Sequence, residues 1–212
     1  MTVRDNEITI AITGASGACY GIRLLQWLCQ ANIKVHLMIS DAARVVMATE
    51  EGLDIAKSPA KQKSTLCDVL DINPELLECW SQNNWASAVA SGSSAPSRMV
   101  VCPCSTGSLS AIATGASNNL IERAADVVLK ERGQLIVVPR EAPYSAIHLD
   151  NMLKLTQAGA IVLPASPGFY NKPESIADLV DFVVSRILDK LNVDNELSGR
   201  WGYMSDAEPA GE

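Results

Sequence analysis

Residues 8–25, ITIAITGASGACYGIRLL, pass from a β-branched apolar run through a glycine-rich turn into a segment of helical periodicity. That succession reads as strand, tight turn and helix. Gly14, Gly17 and Gly21 are spaced three and four apart, so the turn is not the dinucleotide fingerprint GxGxxG. No Lys-Ser/Thr pair follows to make a Walker loop, and Ala18 stands where a nucleophile elbow needs its second glycine. Two readings remain open. The backbone N–H groups at the positive end of the helix form an anion cradle, with the Ser16 hydroxyl on a ligand. Otherwise this is only a tight turn, with Ser16 as the N-cap.

The same alternation recurs outward from this turn. Strands are expected at 8–12, 34–39, 99–102, 135–138 and 160–163, and helices at 19–31, 41–50, 119–132, 145–157 and 174–191. Periodicity weakens over 52–80, where only short helices are expected, and the small-residue stretch 86–96 reads as a loop. Short apolar strands separated by helices predict an α/β fold, a single-domain Rossmann-like (flavodoxin-like) parallel sheet with helices on both faces. In such a sheet ligands sit beyond the carboxyl ends of the strands. The residues there are Gly14-Ala15-Ser16, Ser40, Cys104-Ser105-Thr106-Gly107, Arg140-Glu141 and Pro164-Ala165-Ser166. Hydroxyls recur at all of them but the Arg-Glu pair.

Composition narrows the function classes. The chain has 212 residues, 48% of them hydrophobic and 19% charged, with a net charge of −7. That suits a globular protein and disfavours nucleic acid as partner, so any bound anion needs a local group of cations. The amino terminus lacks the apolar core of a signal peptide, and no apolar window is long enough to span a membrane. A cytoplasmic protein is expected. The six cysteines form no CxxC pair and only two histidines accompany them, so reduced thiols are expected and no metal site.

On the helix at 120–132, Ile121, Ala125 and Val128 share an apolar face, while Arg123 and Lys130 stack two turns apart on nearly the opposite one. The ordinary reading of such a pair is a solvated surface. If it binds an anion, its direction away from the core puts that anion against another element, such as a neighbouring subunit. Arg140 and Glu141 end a strand, Tyr170 sits on a proline-bracketed loop, and Arg186 lies on the last helix. Arginine grips phosphate bidentately and a tyrosine hydroxyl donates to it. Glu50 ends its helix as a lone carboxylate. His36 and His148 have no serine or cysteine at a hydrolase spacing.

Four stretches carry a family resemblance: TGASGACYGIRLL, CPCSTGSLSAIATGASNNLIERAADVVLKER, VPREAPYSAIHLDNMLKL and LPASPGFYNKPESIADLVDFVVSRILD. Together, in this order, they resemble the UbiX-type flavin prenyltransferases among the FMN-binding flavoprotein decarboxylases. The resemblance implies one FMN and prenyl-phosphate domain over 1–191, followed by a tail, 192–212, containing Trp201. It implies an enzyme that joins a dimethylallyl group from dimethylallyl monophosphate to N5 and C6 of reduced FMN, without a metal. The product, prenylated FMN, would serve a separate decarboxylase, in the manner of ubiquinone biosynthesis. By the same resemblance Gly14, Ala15, Ser16, Ser40, Ser105, Thr106, Gly107, Ser108 and Arg140 contact FMN. Arg123, Lys130, Tyr170 and Arg186 meet the prenyl phosphate, with Ser91, Gly92 and Trp85 beside it. Ser16, Glu50 and Glu141 serve the chemistry, Glu141 on the departing phosphate and Glu50 on the proton lost at ring closure. The assembly expected is a homododecamer with sites between subunits. The related FMN-dependent decarboxylases of cysteine-derived substrates carry Pro-x-Met-Asn-x-x-Met-Trp, which the comparable region here lacks. A non-catalytic flavin carrier would leave the second group of cations without a role.

Overall fold

The computed structural model describes residues 6–199. The chain divides into two compact units, Met1–Ala165 and Ser166–Glu212. The first holds a six-stranded, all-parallel sheet in the order β3-β2-β1-β4-β5-β6. The strands are β1 (Glu7–Ile12), β2 (Lys34–Ile39), β3 (Leu77–Trp80), β4 (Arg98–Cys104), β5 (Gln134–Pro139) and β6 (Ile161–Val162). The helices are α1 (Ala18–Gln30), α2 (Asp41–Glu51), α3 (Pro59–Leu70), α4 (Thr106–Ala113), α5 (Leu120–Lys130) and α6 (Ala146–Gln157), with α7 (Ile176–Leu191) in the second unit. The expected α/β class with a parallel sheet is what forms.

β1 is buried on both faces after its first residue, which explains its uninterrupted apolar run. On one face Ala11, Met38, Met99, Val101, Leu135 and Val137 pack with Ile121, Ala124, Ala125 and Val128 of α5 and Leu155 of α6. A fully buried Ile or Leu contributes about 1.5–3 kcal/mol, so these strands carry much of the stability. On the other face α1 lies close to the sheet. A Cβ added at Gly21 would stand 2.4 Å from the Cys102 carbonyl oxygen and 3.1 Å from the Ile12 side chain. Gly21→Ala should therefore cost about 1–3 kcal/mol through overpacking. Urea unfolding of the ligand-free protein reads this as a lowered midpoint at unchanged slope, and an unchanged midpoint would refute the close approach.

Three elements differ from expectation. α3 is a full helix of 12 residues whose buried positions are only Gln62, Leu66 and Cys67, too few apolar residues to make a clear stripe. β3 is a four-residue edge strand that alternates buried and half-buried. α4, built of Thr, Gly, Ser and Ala with two larger apolar residues, forms where no helix was expected. Among the described residues no helix is long and apolar enough to cross a membrane.

In the second unit α7 begins with a Ser175/Asp178 capping box, and Tyr170 meets Phe182 edge to face, centroids 5.6 Å apart. The tail residue Trp201 lies outside the described residues.

Candidate functional site

Strand order reverses between β1 and β4, so the crevice beyond their carboxyl ends is the place for a ligand. The turn from β1 into α1 supplies one side of it. Gly17, at φ 99°, is the N-cap of α1 and has no side chain with which to cap it. Ser16 is therefore not the cap, which corrects the tight-turn reading. The first turn of α1 carries no acid of its own. Its positive end is met instead by the Glu50 carboxylate, whose Oε2 accepts from the N–H of Gly17 (2.9 Å) and Ala18 (3.2 Å). The cradle thus meets an anion, and that anion belongs to the chain.

Glu50 is an unusual resident at its own helix. It lies in the last turn of α2 with no basic residue nearby in that turn, where the helix dipole disfavours a carboxylate. Burial works to raise its pKa. The Ser16 hydroxyl, the two N–H groups and the Arg140 charge outweigh burial and hold it below the ordinary carboxylate range. Its contribution to stability is thus present at neutral pH and lost as pH falls through that depressed value. Arg140 follows β5 and donates from Nε to the Ser16 carbonyl, 3.1 Å away. Three expected site residues, Ser16, Glu50 and Arg140, therefore meet at one place from three separate elements. Gly14 lets α2 begin close by, since a Cβ there would stand 2.4 Å from that of Ala42. Ala15 is buried beneath the turn.

The other side of the crevice is the start of α4. Ser105 is its N-cap, with Oγ accepting from Ser108 N–H (3.3 Å) and donating to Ser108 Oγ (3.1 Å). Ser40 likewise caps α2, accepting from Ala43 N–H at 3.0 Å. Capping accounts for both serines structurally, but it uses the oxygen lone pair and the positive helix ends remain. Thr106 and Gly107 form the first turn of α4, and the Cβ position of Gly107 opens on empty space. Thr13, which sequence reasoning passed over, binds the two sides together. Its Oγ1 donates to the Pro103 carbonyl (2.8 Å) and accepts from Ser105 N–H (2.7 Å). A polar residue ending an apolar strand immediately before the glycines was the available signal.

Glu141 accepts from the Ala142 N–H at 3.0 Å, beside a cis Ala142–Pro143 bond. Tyr144 follows. Burial and then the Glu141 charge raise its pKa, against the lowering effect of Arg140. All six cysteines are free, and burial pushes Cys29, Cys79 and Cys104 up to about 12, which keeps them protonated.

A second group of expected residues gathers along α5. The segment after β3 runs beside this helix: Leu120 N–H donates to Gln82 O (2.8 Å), and Arg123 Nε donates to Ala90 O (3.2 Å). Ser91 and Gly92 come next, and Gly92 lies against the Glu131 side chain that pairs with Lys130. Arg123 also pairs with Asp126 at 2.8 Å. Trp85, half exposed, lies on a turn within this segment, between Gln82 and Ala90. α5 descends from the carboxyl end of β4 to the amino end of β5, so Lys130 lies at the opposite end of the sheet from Arg140. Tyr170 and Arg186 belong to the second unit, where Arg186 pairs with Asp189 at 3.1 Å.

Residues 2–188 match the family model described as Flavoprotein. The chain is 56% identical over 196 residues to the flavin prenyltransferase UbiX of Pseudomonas aeruginosa, covering 92% of this chain and 94% of that one. It is similar to the crystal structure of AnUbiX (PadA1) in complex with FMN and dimethylallyl pyrophosphate, with TM-score 0.82, 39% identity and coverage of 94% and 98% of the two chains. It is also similar to the dodecameric FMN-dependent UbiX-like decarboxylase from Escherichia coli O157:H7, with TM-score 0.81, 36% identity and coverage of 92% and 98%.

Proposed function

The chain belongs to the Flavoprotein family, and on that premise we propose that it is a flavin prenyltransferase, joining a dimethylallyl group from dimethylallyl monophosphate to reduced FMN. The observation that carries this is the meeting of Ser16, Glu50 and Arg140 at the switch point. Besides meeting the start of α1, a carboxylate held ionised at the mouth of the crevice is in the state a general base needs.

The crevice fits a flavin. The turns Gly14–Ser16 and Ser105–Ser108 face it with two helix starts, α4 opens on empty space at Gly107, and Ser40 and Arg140 flank them. When bound, reduced FMN supplies nucleophilic N5 and C6 atoms, across which the C5 unit closes a fourth ring. The protein's part is to hold phosphate and to move protons. Without a metal, the charge on the departing monophosphate must be stabilised by side chains. Arg123, Lys130, Tyr170 and Arg186 are the groups for it, with Ser91 and Gly92 adjoining Arg123 and Lys130. Glu141 delivers a proton to the departing phosphate; as the ring closes, the released hydrogen phosphate returns a proton to the prenyl double bond, and Glu50, steadied by Ser16, receives the one that leaves C6. The indole face of Trp85 stabilises allylic positive charge by about 1–2 kcal/mol once water is excluded.

Lys130 and Arg140 at opposite ends of the sheet support a site shared between copies of the chain. α6 supports an assembly too, since Ile147 (70%), Leu149 (54%) and Leu153 (56%) are exposed in the single chain. The homododecamer is read by likeness to the Escherichia coli protein. The product goes to a decarboxylase of the ubiquinone-biosynthesis kind, and free thiols suit a cytoplasmic setting.

Incubated anaerobically with reduced FMN, dimethylallyl monophosphate and a chelator, the protein should yield a flavin heavier by one C5 unit in mass spectrometry. Unmodified FMN from folded protein would end the prenyl-transfer reading. Turnover with the diphosphate alone would change only the donor.

A further inference from the structure

We propose that Thr13 is a positioning residue for the flavin, its hydroxyl fixing the spacing between the two turns that cradle it. The proposal rests on the reading of those turns as the flavin site. Regular pairing of β1 with β4 covers Thr9↔Met99 to Ala11↔Val101 and goes no further. Beyond it β4 shifts register against β5 between Val101 and Cys104; pairing with β5 resumes at Cys104↔Pro139, but regular pairing with β1 does not. Thr13 takes over at that point. Its N–H donates to the Pro103 carbonyl at 3.2 Å, and its hydroxyl donates to the same oxygen at 2.8 Å. The hydroxyl oxygen accepts from Ser105 N–H at 2.7 Å.

One side chain thus replaces two rungs of the sheet. It is 1% exposed, so no water is at hand to replace it. Its neighbours on the two sides are residues of the cradle: Gly14 follows Thr13 directly, and Ser105 caps α4. Losing the hydroxyl leaves the Ser105 N–H without its partner and frees the start of α4 to move relative to Ser16. A flavin touching both turns feels that movement, although Thr13 itself need not touch it.

Valine has the shape of threonine and neither hydrogen bond. Thr13→Val should weaken FMN binding about tenfold, because the bound flavin must then re-order the loosened start of α4, whereas Thr13→Ser should stay within about twofold of the parent. Fluorescence titration of the full chain with FMN reads the affinity, and visible circular dichroism of the bound flavin reads its setting. The valine variant should change that spectrum and the serine variant should restore it. Parent-like affinity and spectrum in Thr13→Val overturn the proposal, as does a serine variant as weak as valine. If Thr13→Val does not fold, Thr13→Ser and Thr13→Ala decide: weakened binding in alanine alone supports the tie, and equal affinities overturn it. A parent chain that binds no FMN fails the functional reading itself, and this proposal with it.

Discussion

Glu50→Gln binds FMN as the parent does and fails to close the fourth ring. The amide keeps the size of the side chain and one oxygen to accept from the Gly17 and Ala18 N–H groups, so the start of α1 stays capped. It cannot take a proton. Removing a positioned general base lowers the rate by about 10²–10⁴-fold. The expected product carries the C5 unit through one bond only. Its mass equals that of the closed ring, so absorption and fragmentation distinguish the two. Full turnover by this variant would remove Glu50 from the chemistry.

The same geometry sets a pH dependence. Burial raises the Glu50 pKa, but the Ser16 hydroxyl, the two N–H groups and Arg140 prevail and hold it low. The acid limb of kcat/KM, which reports the free enzyme, should therefore fall below the ordinary glutamate range.

How far the sequence could be read follows from what each signal depends on. β1 and its glycine turn were legible because a strand buried on both faces must be apolar throughout. α5 was legible because one stripe of Ile121, Ala125 and Val128 is buried and the opposite side is charged. α3 and β3 were not, since α3 buries a glutamine and a cysteine with one leucine, and β3 sits at the sheet edge. α4 hid in small residues whose individual helix preference is weak. The site divides the same way. Residues placed by a strand end, such as Arg140, follow from topology. The partnership of Ser16 with Glu50 does not, because it depends on α2 returning its last turn to the start of α1. Thr13 was missed for a related reason: its two partners lie some ninety residues away in sequence.

Co-expressing Lys130→Ala with Glu50→Gln should restore activity that neither variant has alone. β5 separates the two ends at issue, with Lys130 leading into its amino end and Arg140 directly following its carboxyl end. Six residues of strand span about 20 Å, several times the reach of a lysine side chain. Arg123 lies seven residues earlier on α5, about 10 Å nearer the crevice along the helix axis, yet its Nε is turned to Ala90. Lys130 therefore cannot serve the Ser16–Glu50–Arg140 group of its own chain, and a site needing all of them takes Lys130 from a second copy. In a mixed assembly each variant chain contributes one intact half. Random mixing at equal amounts then gives about one site in four with both halves intact. Sites built within one chain would give none, because every chain in the mixture carries one lesion. Recovery to about a quarter of parent activity, with each homogeneous variant inactive and correctly assembled, is the expected result. No recovery in assemblies proved to be mixed would return Lys130 to the role of a surface cation paired with Glu131.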